Sequence, residues 1–227
     1  MADDEPFLDR LARERVIAIL RADDASRFVA VSRALYDAGL RAVEITLTTA
    51  GAVDAIAEVR EALPDDAWIG AGTVMSAADV KAVSSAGAAF AVSPILDDGA
   101  VAAANRLGLP FLPGALTPTE IVTAWRSGCA AVKVSPVSCV GGVDYIRQVS
   151  AFLPGIPLVP TGGIPPADVA DHLAAGAACV GLGGPLLGDA VRPDGDLPGL
   201  TARAAALLRA LPAPARASAA VAVEAGR

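Results

Sequence analysis

Between residues 16 and 183 the chain repeats one phrase: a helical pattern closes on glycine, and an apolar run follows within a few residues. Ala38-Gly39, Ala86-Gly87, Leu107-Gly108, Ser127-Gly128 and Ala175-Gly176 each stand before such a run. Glycine just past a helix end tolerates the left-handed backbone that closes it. Eight runs read as strands: Val16–Leu20, Ala42–Thr46, Trp68–Thr73, Phe90–Ser93, Phe111–Gly114, Ala131–Ser135, Pro157–Thr161 and Cys179–Gly183. Helical patterns separate them over Ala25–Ala38, Ala50–Ala62, Ala77–Ala86, Asp97–Leu107, Pro118–Ser127, Val143–Phe152 and Pro165–Ala175, with a last one over Leu197–Leu211. Phe7, Leu8 and Leu11 fit one face of a short N-terminal helix that stops near Arg15.

Strands that are apolar throughout belong in a parallel sheet covered by helices on its faces. Eight such units closed on themselves predict an α/β fold, a (β/α)8 TIM barrel of minimal size. An open doubly wound sheet would place a Gly-x-Gly-x-x-Gly turn early in the chain, and none stands there. One domain is expected over residues 1–211, followed by a low-complexity tail at 212–227 that is expected to be partly disordered.

Hydrophobic residues make up 54% of the 227, enough for a sizeable core. Acidic residues outnumber basic ones 25 to 18, and no basic run occurs, so neither nucleic acid nor an anionic membrane is an expected partner. No apolar run reaches the roughly 18 residues that suggest a membrane span, and the acidic opening lacks the basic start of a signal peptide. Cys129, Cys139 and Cys179 are odd in number and lack metal-ligand spacing. These features together predict reduced thiols and a cytoplasmic location.

In barrels of this kind the chemistry sits at the C-terminal ends of the strands. Two charges interrupt apolar runs there: Glu44 in Ala-Val-Glu-Ile-Thr-Leu and Lys133 in Ala-Ala-Val-Lys-Val-Ser. A lysine on a buried strand is pushed toward the neutral amine, which is the nucleophile of Schiff-base chemistry. The chain has one other lysine, Lys81, in a helical pattern that reads as solvated. Burying either charge alone is expensive, whereas a Lys–Glu pair at one barrel mouth satisfies both. Such a pair is either a structural salt bridge or a nucleophilic amine with its general acid/base. The other strand ends carry Arg21, Thr46, Gly72-Thr73, Ser93-Pro94, Pro113-Gly114, Thr161-Gly162-Gly163 and Gly183-Gly184. The last two glycine turns hold the usual phosphate-cradling position of barrels. His172, the single histidine, reads as a surface or helix-packing residue, which leaves a histidine metal site or a Ser-His-Asp triad without its parts. Asp23-Asp24 and Asp97-Asp98 read as capping carboxylates.

With these residues placed, the sequence resembles the class I 2-keto-3-deoxy-6-phosphogluconate / 4-hydroxy-2-oxoglutarate aldolases over about residues 10–190. The resemblance rests on Val16-Ile-Ala-Ile-Leu-Arg21, Val43-Glu-Ile-Thr-Leu47, Ile69-Gly-Ala-Gly-Thr-Val74, Ser93-Pro94 and Leu112-Pro-Gly114. It continues in Val132-Lys133 with Pro136, Gly141-Gly142 and Pro160-Thr-Gly-Gly-Ile164. It implies a pyruvate-forming retro-aldol reaction on a small-molecule 2-keto acid, with Lys133 forming the iminium and Glu44 shuttling protons. It also implies that Arg21 and Thr73 hold the carboxylate end, that Pro94 shapes that pocket, and that Thr161, Gly162, Gly163, Gly183 and Gly184 take part in substrate binding. The glycine amides would receive a distal phosphate or carboxylate. No metal and no other cofactor is implied, and the family is commonly a homotrimer.

Three departures bear on the substrate. Thr48 stands where the family often has a carboxylate-binding arginine, which leaves Arg21 in that role. Ser135 replaces an aromatic residue between Lys133 and Pro136. Gly184, followed by Pro185, stands where a serine helps to bind phosphate. The resemblance implies a 2-keto-3-deoxy-6-phospho sugar acid, cleaved to pyruvate and glyceraldehyde 3-phosphate. The departures keep open a non-phosphorylated 4-hydroxy-2-oxo acid such as 4-hydroxy-2-oxoglutarate. Patterning alone also admits a non-aldolase, phosphate-binding barrel isomerase or synthase.

Overall fold

The computed structural model describes residues 5–213. The expected tail from 214 onward lies outside the described residues. The chain alternates helices and strands: α1 Phe7–Glu14, β1 Val16–Leu20, α2 Phe28–Asp37, β2 Ala42–Thr46, α3 Ala52–Ala62, β3 Trp68–Gly72, α4 Ala77–Ser85, β4 Ala91–Val92 and α5 Asp98–Leu107. It continues with β5 Phe111–Leu112, β6 Gly114–Ala115, α6 Pro118–Arg126, β7 Val132–Val134, α7 Gly142–Phe152, β8 Leu158–Pro160, α8 Val169–Ala174, β9 Val180–Leu182, α9 Gly184–Leu187 and α10 Leu197–Ala210.

Every strand pairing is parallel. One sheet runs β5-β4-β3-β2-β1-β9 and a second runs β6-β7-β8. β5 and β6 are two pieces of the single fifth strand expected from sequence, parted at Pro113, which has no N–H to give a ladder. Isolated parallel bridges Leu158–Ala177 and Thr161–Gly181 join β8 to β9. The strands are buried on both faces because helices cover one and the strands' own side chains fill the other.

The helix ends follow local chemistry. Thr117 and Glu120 form a reciprocal capping box at α6, with Pro118 at its first position. Ser76, Asp97 and Asp196 each accept a backbone N–H at the starts of α4, α5 and α10. Asp24 instead accepts from Ser26 N–H in a turn, so α2 starts at Phe28, later than expected. The region expected as a helix from Pro165 opens with a tight 3₁₀ turn at Pro166–Asp168. The five glycines named above all have positive φ, from 66° at Gly108 to 106° at Gly176.

Side chains alternate across a strand, so every second residue shares a face. Ile17, Ala42, Trp68, Phe90, Leu112, Ala131, Val159 and Cys179 pack together as one interior cluster. Phe7 and Leu8 of α1 pack against it. Phe7 meets Trp68 at a ring separation of 5.3 Å, and Trp68 meets Phe90 at 4.5 Å. A larger cluster lies between strands and helices. α1 thus closes the end of the interior where the strands begin, and the other end is left for polar groups. Among the described residues no helix is long and apolar enough to cross a membrane.

Candidate active site

Two residues beyond Ala42 and Ala131 on the interior face stand Glu44 and Lys133. They are 3% and 8% exposed, and Lys133 Nζ lies 3.9 Å from Glu44 Oε1. That separation is an ion pair without a hydrogen bond. Glu44 Oε1 has no hydrogen-bond partner at all among the described residues. A buried carboxylate oxygen left unpaired is costly in a purely structural bridge and is available to a substrate proton.

Space for the pair comes from glycine. A Cβ on Gly72 would run into the Glu44 carboxylate, one on Gly114 into the Pro94 carbonyl, and one on Gly70 into the Phe90 ring. The glycines of β3 and β6 are therefore required by close approach. Gly114 is the direct register partner of Lys133, and Gly70 that of Glu44.

Arg21, exposed at the end of β1, donates from Nη2 to Thr73 Oγ1 at 3.4 Å, across the end of β2. Thr73 has φ +58°, an outlier for a β-branched residue, of a kind that costs about 1–3 kcal/mol. Its neighbours are held on both sides, since Gly72 C=O accepts from Leu47 N–H and Val74 N–H donates to Val92 C=O. The strain is thus imposed at the tip of β3 and aims the threonine hydroxyl at Arg21.

Thr161 is 8% exposed and caps β8. Gly162 and Gly163 follow with φ +96° and +74°. The short turn Val137–Val140 after β7 is laid on this segment, with Val137 N–H bonded to Thr161 C=O and Ser138 N–H to Gly162 C=O. A Cβ on Gly163 would strike Ser138 Oγ, and one on Gly162 would lie 3.4 Å from Ser135 Oγ. Gly183 and Gly184 open α9, where Pro185 supplies no N–H. Pro94 and Ser135, with Gly114, Thr119 and Thr123, line a cavity of about 340 Å³ beside the fifth strand. Lys133 and Glu44 do not line it. Thr48 is exposed, and its hydroxyl donates to Thr46 Oγ1.

Glu44 with Lys133, and Arg21 with Thr73, are thus brought into contact. Ser135 faces the Gly162 turn on one side and the cavity on the other. Nothing in the sequence singles out Thr49 or Ser138, because a polar residue in a loop looks like any turn residue. His172 is 2% exposed, with Nδ1 2.9 Å from Asp168 C=O, a packing residue of α8.

The family model for KDPG and KHG aldolase matches residues 8–201. The chain is 34% identical over 167 residues to an Escherichia coli protein named KHG/KDPG aldolase, covering 73% of this chain and 78% of that one. It is 36% identical over 176 residues to a Pseudomonas aeruginosa 2-dehydro-3-deoxy-phosphogluconate aldolase, covering 77% and 80%. Among solved structures, the KDPG aldolase of Legionella pneumophila, with pyruvate captured as a covalent carbinolamine, superimposes with a TM-score of 0.79 at 27% identity. That match covers 87% of this chain and 95% of the other.

Proposed function

The chain belongs to the KDPG and KHG aldolase family, and from that premise we propose that Lys133 is its Schiff-base lysine and Glu44 its proton shuttle. The observation that carries the reading is the buried Lys133–Glu44 approach of 3.9 Å with Glu44 Oε1 unpaired.

The substrate proposed is a 2-keto-3-deoxy-6-phospho sugar acid. Lys133 passes a proton to Glu44 and its neutral Nζ adds to the C2 carbonyl; the carbinolamine then loses water with the help of that proton, leaving an iminium and the Glu44 carboxylate. The Glu44 carboxylate then removes the C4 hydroxyl proton. The C3–C4 bonding pair flows into the iminium, releasing glyceraldehyde 3-phosphate and leaving an enamine. Glu44 returns the proton to C3, and hydrolysis frees pyruvate and Lys133. The iminium is the electron sink, so no step is routed through a metal. Arg21 and Thr73 would hold the carboxylate, against a wall at Pro94. The backbone of Thr161, Gly162, Gly163, Gly183 and Gly184 would receive the distal phosphate, with Ser135 and Thr48 bordering the pocket.

A second reading, cleavage of a non-phosphorylated 4-hydroxy-2-oxo acid, is favoured by one feature. Gly184 carries no hydroxyl and Pro185 no N–H, which thins the donors at that corner. We further propose that the strands close as one (β/α)8 ring within a single domain over residues 1–211, a reading supported by the β8–β9 bridges. A homotrimer in the cytoplasm is proposed from the family resemblance, with light scattering as its check.

Borohydride reduction in the presence of pyruvate, followed by peptide mapping, tests the chemistry. The expected label is on Lys133. A label on Lys81, which is exposed on α4, or no label at all, overturns the mechanism. Turnover of phosphorylated against unphosphorylated donors then decides between the two substrates.

A further inference from the structure

The turn after β2 is fastened to the end of β1 by a set of threonine hydrogen bonds. Thr46, fully buried, donates from Oγ1 to the Leu20 carbonyl at 3.0 Å. With its proton used there, Thr46 Oγ1 still has two lone pairs. One accepts from Thr48 Oγ1 at 3.3 Å. The other faces Thr49 Oγ1 at 3.4 Å, which makes Thr49 the donor of that pair. Thr49 Oγ1 in turn accepts from Ala22 N–H at 3.2 Å. Backbone bonds continue the seam, from Ala50 N–H to Asp23 C=O and from Ala25 N–H to Ala50 C=O.

Leu20 and Ala22 are the two residues flanking Arg21. The residue whose guanidinium reaches over β2 to Thr73 therefore has its backbone held on both sides by hydroxyls, one from the end of β2 and one from the loop that follows it. We infer that Thr46 and Thr49 are positioning residues for Arg21, fixing the direction from which the guanidinium meets the carboxylate of the 2-keto acid. The inference rests on Arg21 and Thr73 being the carboxylate-binding corner. A long side chain magnifies small turns of its own backbone, and a charge-assisted pair weakens quickly when its geometry is lost. Thr46 and Thr49, with Thr48 donating to Thr46, thus orient a cation at the end of the adjacent strand. Glu44, on the same face of β2 as Thr46, is held separately by the space at Gly72.

The test is Thr46→Val, which keeps shape and removes the hydroxyl. The concentration of pyruvate that half-saturates borohydride trapping, and KM for the aldol substrate, are expected to rise about five- to tenfold, the effect of one hydrogen bond. The change in kcat is expected to stay within about twofold, since binding rather than proton transfer is affected. Thr46→Ser, which restores the hydroxyl, is expected to return the half-saturation to that of the wild type. In an Arg21→Ala background Thr46→Val is expected to add nothing. Should Thr46→Val not fold, Thr49→Ala carries the same comparison, with a rise in the same direction. Unmoved half-saturation, a fall in kcat at constant KM, or an equal rise in the Arg21→Ala background overturns the inference. Wild-type protein that traps no pyruvate overturns the aldolase reading itself, whereas trapping at Lys133 with unmoved half-saturation in the variants overturns the inference alone.

Discussion

Gly72 leaves open the place that the Glu44 carboxylate occupies: a Cβ on this last residue of β3 would overlap Oε1. Gly72 is the register partner of Thr46, two residues beyond Glu44 on the same face of β2. The place Glu44 takes beside Lys133 therefore depends on a residue of the adjacent strand that has no side chain.

Gly72→Ala is accordingly expected to lower turnover far more than stability. Pushing the carboxylate off its place removes general acid/base assistance, which is worth about 10²–10⁴ in rate. Pyruvate trapping on Lys133 should slow as well, since in the proposed mechanism carbinolamine dehydration uses the same carboxylate. Steady-state kinetics beside a thermal melt make the check. A variant with wild-type kcat would show that Glu44 does not act from this position.

Glu14, at the end of α1, is 8% exposed, and burial pushes its carboxyl above the usual glutamate value, with Arg13 and then Arg10 and Arg41 pulling it back. Arg13 Nη1 lies 3.0 Å from Oε1 in a geometry that makes no hydrogen bond. The folded chain holds this proton to higher pH than the unfolded chain does. The stability it contributes is full below the ordinary glutamate pKa and is lost as pH rises through the raised one. Glu14→Gln should therefore match the wild type in acid and become the more stable of the two as pH climbs toward neutral. Melting temperatures of both proteins across that range are the measurement. A gap that narrows with rising pH would contradict the assignment.

Much of the layout was legible because it is written in local rules. A charge inside an apolar run is an anomaly wherever it falls, which is why Lys133 and Glu44 stand out in the sequence alone. Glycine after a helical pattern marked five helix ends, and all five have positive φ. What was not legible depends on partners distant in sequence. Thr49 matters because Ala22 N–H points at it, and Ser138 because the turn after β7 is laid on the turn after β8. The break at Pro113 follows from a missing N–H that could have been read directly. The turn at Val137–Val140 and the short α9 are too brief to show a period.

The three thiols should divide by burial. Cys129 is pushed up to about 12 and Cys179 higher still, both by burial, while Cys139 is exposed in the turn after β7. Thiolate is the reactive form. A neutral-pH thiol titration of the native protein should therefore modify Cys139 alone, with Cys129 and Cys179 reacting only after unfolding. Peptide mapping of the modified site makes the assignment. Rapid native labelling of Cys179 would be incompatible with its place in the interior cluster beside α1.

Ser135 lies two residues beyond Lys133 on the same face, with its hydroxyl near the Gly162 turn and its other side on the cavity shared with Pro94 and Thr119. In the proposed site Ser135 borders the pocket for the far end of an aldol substrate, which pyruvate lacks. Ser135→Phe would close part of the cavity and withdraw one hydrogen-bonding group. Its effect should fall on the substrate's far end, with kcat/KM for the full aldol substrate dropping about fivefold or more relative to pyruvate trapping, the size of one lost hydrogen bond. The ratio of kcat/KM between phosphorylated and unphosphorylated donors should shift with it, given the proposed role of the Gly162 turn in receiving the distal group. Measuring both ratios in wild type and variant checks this directly. A variant in which every donor and pyruvate lose by one common factor would place Ser135 in support of Lys133, with no part in choosing the substrate.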